Sequence, residues 1–228
     1  MKTYDSTIQI IKKPKKLIGF KMLKINIFNN FSISYYLLYI YLLIIISQLM
    51  SCNRDQTYVE QGLEKEKKGN HAEALHYYNQ AYKINPENKF ANERLGFLLS
   101  ESQFSIIPAI FHLEKAREKD LNNEIVTLKL IDLTLFISDF TKGKRLQKEI
   151  SIQLKESDNL FINRITECLE TLNRVEKKKI LALLDTGAFP ENTKYLYRSL
   201  ALCYENNGES LKAEELAAKY RKSINLIQ

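Results

Sequence analysis

The sequence predicts an all-α protein: a solenoid of about five antiparallel helix pairs, preceded by an apolar N-terminal helix that is either cleaved or kept as an anchor. Three observations carry this. Gly62 and Gly96 stand 34 residues apart, a spacing at which paired helices repeat. Beyond residue 51, apolar residues recur at the three- and four-residue steps that line one face of a helix. Gly (7) and Pro (4) are scarce and Trp is absent, which leaves little of the turn chemistry that an all-β chain needs.

The N-terminal element comes first. No residue between Lys24 and Arg54 is charged, and Tyr35 to Ile46 is an unbroken apolar run preceded by lysines. A basic region, a short apolar core and a small residue before a cut form a secretory signal. The run is short for a membrane span, which takes about 20 residues. Counting Ile25 to Met50 as one loose span gives the alternative, an uncleaved signal anchor. Leu49-Met50-Ser51-Cys52 resembles the bacterial lipobox, a Leu and two mostly small residues before Cys; Met50 is the bulky exception. The resemblance implies lipidation at Cys52, cleavage before it and a membrane anchor of several acyl chains, each buried CH₂ contributing about 0.8 kcal/mol. Met22-Leu23-Lys24 supplies a start of ordinary signal length, so translation is expected to begin at Met22. A precursor peptide from before Met22 would refute that. The expected organisation is a leader over 1–51 and a helical repeat domain over 52–228.

Charge follows the same division. Of the formal +7, residues 1–51 hold seven lysines against Asp5, which leaves +1 for the rest. A nearly neutral body lacks the positive field that binds a polyphosphate backbone, so no nucleic-acid partner is expected.

The first repeat unit, 55–88, contains Tyr58, Gln61-Gly62, Gly69-Asn70, Ala74, Tyr78, Ala81 and Pro86. Gly62, Ala74 and Ala81 are small where paired helices must approach, and Tyr58 and Tyr78 are large enough to fill gaps between turns. Gly69-Asn70 suits a tight turn, because both residues tolerate left-handed φ. Pro86 ends the second helix. The second unit, 89–122, repeats the pattern with Asn92, Leu95-Gly96, Leu99, Ala109, Leu113, Ala116 and Leu121, and one extra residue near Ser102–Ile106. The last, 194–227, has Tyr197, Leu200-Ala201, Tyr204, Gly208, Ala213, Ala217 and Tyr220. These units resemble tetratricopeptide repeats (TPRs).

Residues 123–193 are read as two degenerate pairs. Ile125–Ile137 is a strongly apolar helix, too short and too interrupted by Lys129 and Asp132 to span a membrane. Thr141-Lys142-Gly143 reads as a turn. Leu146, Ile150 and Leu154 mark one helix face, and Phe161, Ile165, Cys168 and Leu169 another. Val175, Ile180, Leu181, Leu183 and Leu184 mark a third, broken at Gly187 to Pro190. Cys168 and Cys203 sit among apolar residues and read as small buried hydrophobes rather than a bridge or a reactive thiol.

The sequence contains no catalytic constellation, glycine-rich phosphate loop or Cys at metal-ligand spacing, so neither an enzyme nor a metal or cofactor site is expected. His71, His76 and His112 read as exposed or capping histidines. The TPR resemblance implies binding of a protein or peptide, and no small-molecule substrate, on a concave face built from the first helix of each pair. That face should include Val59, Leu63, Glu66, Phe90, Glu93, Phe97, Tyr195, Arg198 and Leu202, an apolar and aromatic groove suited to a helix or extended segment. The TPR subgroup that clamps a terminal carboxylate needs Lys and Asn where Val59 and Leu63 stand, so its ligand is not expected. The expected protein is a lipid-anchored adaptor of the bacterial cell envelope, at its periplasmic face or surface, probed by asking which complex copurifies from membranes. The alternative is an accessory subunit of an enzyme or transport complex.

Overall fold

The computed structural model describes the backbone of residues 16–186 and 189–224, and side chains over 35–46 and 54–219 apart from 103, 187 and 188. The chain forms two compact units, Met1–Ser51 and Cys52–Gln228. The first contains the start of helix α1 (Lys16–Lys67), where residues 35–46 are helical and exposed. Among the described residues no helix is long and apolar enough to cross a membrane. Residues 1–15 and the side chains of Met22, Leu49 to Cys52 and Tyr220 lie outside the described residues, and with them the start site, the lipobox and the end of the last repeat pattern.

In the second unit every regular element described is helical. The end of α1 pairs with α2 (His71–Ile84). Then follow α3 (Lys89–Leu99) and α4 (Ile106–Lys119), α5 (Glu124–Phe136) and α6 (Phe140–Ile150), α7 (Glu156–Glu170) and α8 (Arg174–Asp185), and α9 (Tyr197–Glu205) and α10 (Ser210–Ile224). Short 3-10 segments cover Gln103–Ser105, where the second unit has its extra residue, and Glu191–Tyr195.

Local chemistry sets the ends. Gly69 has φ +73°, and Asn70 caps α2 by accepting from the Glu73 N–H at 3.2 Å. Helix α2 stops at Ile84, two residues before Pro86. Asn88, Asn123, Asp139 and Asn173 cap α3, α5, α6 and α8 in the same way, each side-chain oxygen accepting from a first-turn N–H. Each such cap stabilises by about 1 kcal/mol.

The pairs close through their small residues. Ala74 and Ala81 are fully buried and Ala116 nearly so. A Cβ on Gly62 would stand 2.6 Å from Tyr78 Cε1, and one on Gly96 would run into Leu113. The Tyr78 ring cannot swing away, because it is fully buried and its hydroxyl donates to Glu66 Oε2 at 2.8 Å. Ala is the better helix former by up to about 1 kcal/mol, yet Gly62→Ala is expected to destabilise, and Gly62→Val by about 2–3 kcal/mol. A urea titration reads both signs; a stabilised Gly62→Ala would mean the helices have room to separate.

One continuous core runs from α3 to α10, and α5 lies at its centre. Every residue from Val126 to Leu135 is buried. A helix apolar on all sides must be covered on all sides. Accordingly α5 packs against α4 and α6, and also against α9, two pairs further along the chain. Asp132 fixes that contact by accepting from the Ser199 N–H and hydroxyl, both at 2.8 Å. The array therefore departs from a stack in which each pair meets only its neighbours.

Four expectations are corrected. Cys168 and Cys203 are fully buried as expected, but they form a disulfide, with Cα atoms 6.0 Å apart, that ties α7 to α9. Helix packing brings together two residues 35 apart, which apolar context alone did not indicate. Gly143 lies inside α6, not in a turn; a Cβ there would be 3.0 Å from Leu135. The turn comes earlier, at Ser138 with φ 64°, because Asp139 caps the helix. Ile180, Leu181 and Leu184 face the core, whereas Val175 and Leu183 are exposed on the far side of α8. His112 is buried, not exposed.

Candidate partner-binding groove

The expected groove residues fall into three settings. Around α1 to α3 they take part in packing within the first pair and between successive pairs. Val59 is buried in a cluster with Ala81 and Ala91, with Leu63 against it. Glu66 accepts from Tyr78 and from Arg94 Nε at 3.0 Å, and Arg94 Nη2 reaches its other oxygen. That carboxylate is engaged in joining α1, α2 and α3. The Phe90 ring lies 6.4 Å from that of Tyr78 and is partly exposed. Glu93 accepts from Asn123 Nδ2 at 3.3 Å, and burial raises its pKa against the opposing effects of Lys89 and Asn123.

In the second setting, Phe97 and Tyr195 meet edge to face, with ring centres 6.5 Å apart. Both are buried. The Glu191–Tyr195 segment thus covers part of the surface that a regular array leaves open. In the third, Arg198 and Leu202 line a cleft of about 230 Å³. Tyr197, Ala201 and Glu205 of α9, Phe136 at the end of α5, and Ser210, Ala213, Glu214 and Ala217 of α10 complete it. The sequence reading assigned the lining to first helices only and so missed the α10 residues. Their small side chains, Ser210, Ala213 and Ala217 at three- and four-residue steps, were the available signal.

The core also holds buried polar side chains, among them Lys129 and His112. Lys129 is fully buried, with Nζ 3.4 Å from Asp132 Oδ2 and 4.7 Å from the centre of the Tyr197 ring. Burial pushes its pKa down, with Asp132 and Glu101 opposing. His112 Nδ1 pairs with Asn92 Oδ1 at 2.9 Å, and its ring meets Tyr82 edge-on. Burial lowers the His112 pKa below its ordinary 6.5. The unfolded chain therefore takes up this proton before the folded one does. The stabilising contribution is complete above about pH 6.5 and shrinks as pH falls below it. Thermal melts from pH 7.5 to 5 should lose stability with falling pH, and His112→Gln should flatten that slope; an unchanged slope would place the titration elsewhere.

Among the described residues no cluster of His, Cys, Asp and Glu could hold a metal ion. No family model and no curated protein sequence matches the chain. Among solved structures it is similar to the crystal structure of MamA protein, at TM-score 0.46 and 17% identity, over 77% of this chain and 97% of that one.

Proposed function

We propose that this chain is an exported, lipid-anchored adaptor of the bacterial envelope that binds a protein or peptide partner along its array of helix pairs. The observation that carries the binding reading is the cleft between α9 and α10. There Arg198 and Leu202, two side chains placed on the concave face by the TPR-like pattern, line an open cavity. Export has separate support. The Cys168–Cys203 disulfide belongs to an oxidising compartment such as the periplasm, and Leu49-Met50-Ser51-Cys52 ends a signal-like leader. In this reading Cys52 carries the acyl chains, and the adaptor supplies recognition rather than catalysis.

A photo-crosslinking side chain at Leu202 in the membrane-bound protein is expected to capture one protein species. The same probe at Ile152, which is 97% exposed away from the cleft residues, is expected not to capture it. Identical capture from both positions, or none, would reject the groove. Intact mass of the membrane fraction tests the anchor, since it should show a chain starting at Cys52 with acyl groups added. An unmodified chain in the aqueous phase of a detergent partition would reject it.

A further inference from the structure

The turn between α7 and α8 projects apolar side chains into solvent beside cations that lack a counter-charge. Leu172 is 96% exposed and Val175 is 65% exposed. Asn173, between them, caps α8 by accepting from the Val175 and Glu176 N–H groups, which fixes the backbone that presents both side chains. Arg174, Lys178 and Lys179, in the first two turns of α8, are exposed and form no salt bridge among the described residues. The neighbouring acids are engaged elsewhere. Glu170 pairs with Lys144 at 2.6 Å, and Asp185 accepts from Tyr204 at 2.6 Å and pairs with Lys212. Glu176, which accepts from Thr171 Oγ1 at 3.4 Å, offsets one of the three cations. Residues 171–186 hold four basic side chains against Glu176 and Asp185, a local +2 in a body whose total is +1. A polyphosphate backbone would satisfy the cations and leave Leu172 and Val175 in water. A bilayer offers hydrocarbon directly beneath negative charge and accommodates both.

We infer that the α7–α8 turn docks on an anionic membrane surface, with Leu172 and Val175 entering the boundary between headgroups and acyl chains and Arg174, Lys178 and Lys179 against the lipid phosphates. Each cation held near such a surface strengthens binding about fivefold at physiological salt, so three give about a hundredfold. This contact is additional to the Cys52 anchor proposed above and does not rest on it. Where both operate, an anchor ahead of the first helix pair and a docked turn in the fourth hold the body to the membrane at two points.

The test uses the full chain carrying a nitroxide at Leu172→Cys, bound to vesicles of phosphatidylcholine with about 30% phosphatidylglycerol. The nitroxide side chain is itself apolar and stands in for the leucine. Collision with oxygen and with a water-soluble nickel complex reads the depth of the label. The label at 172 is expected to be immersed, and one at Ile152→Cys, at the other end of α7, to stay aqueous. The Lys178→Gln, Lys179→Gln double variant should lower the immersed-to-aqueous ratio about thirtyfold. Raising NaCl from about 0.1 to about 0.5 M should move the label in the same direction. An aqueous label at 172 on anionic vesicles, or equal immersion on phosphatidylcholine alone, overturns the docking turn, and neither reading depends on the double variant folding. The salt series separates this contact from the anchor. A chain that stays on the vesicles at high salt while the 172 label surfaces keeps both. One whose label is immersed at low salt and that washes off entirely at high salt keeps the docking turn and removes the anchor. One that stays bound with an aqueous label at every salt removes the docking turn and keeps the anchor.

Discussion

Replacing Cys168 or Cys203 with alanine is expected to cost about 4 kcal/mol, the chain-entropy value for a bridge closing a loop of this length, with the sequence separation of 35 setting the loop. For a helical unit of this size that corresponds to a fall of about 10 °C in melting temperature. The bridge is a single interaction. Either single variant and the double variant should therefore lose the same amount within about 1 kcal/mol, because the second replacement removes nothing further. The effect should concentrate on α7 and α9, which the bridge joins. Amide exchange would show their protection falling below that of the rest of the core. Two alkylatable thiols in the native protein purified from membranes, with additive losses in the single variants, would show that the cysteines are only core residues.

Asp132→Ala is expected to cost about 3–5 kcal/mol, since it leaves a buried cation without its counter-charge. Lys129→Met should cost less, because Asp132 keeps its two Ser199 donors. The asymmetry follows from geometry. Asp132 accepts two hydrogen bonds from Ser199 at 2.8 Å, which tie α5 to the start of α9. Lys129 donates to Asp132 at 3.4 Å and gives up all of its hydration, being fully buried. Removing the lysine leaves a carboxylate still held by two donors. Removing the aspartate leaves both an unpaired ammonium and an open backbone N–H at Ser199. Denaturant midpoints for the two variants decide the matter. Equal losses would mean that the ion pair within α5, not the link from Asp132 to Ser199, carries the stability that is lost.

The helix pairs were legible because their causes are local. Gly69-Asn70 and Pro86 bound α2 where expected, and the alternation of Gly62 with Tyr78, and of Gly96 with Leu113, marks close approach. The irregular middle was more legible than its apolar pattern suggested. Asn88 and Asn123, which open α3 and α5, are 35 residues apart; Asp139 and Asn173, which open α6 and α8, are 34 apart. These caps carry the repeat through residues whose core positions have drifted, and reading them would have kept Gly143 inside α6.

The order of helices, their caps and their close-packing residues were determined by the sequence alone, because each depends on residues within a turn or two or on the partner helix of the same pair. The packing of α9 on α5, the Cys168–Cys203 bridge, the burial of His112 and the enclosure of Arg198 were decided only by the tertiary structure. Each joins elements distant in the chain, and no local periodicity encodes which of several apolar faces will meet. The long apolar run of α5 demanded cover beyond its own pair; only the fold determined that α9, joined to it by Asp132, would supply that cover, and so buried Arg198.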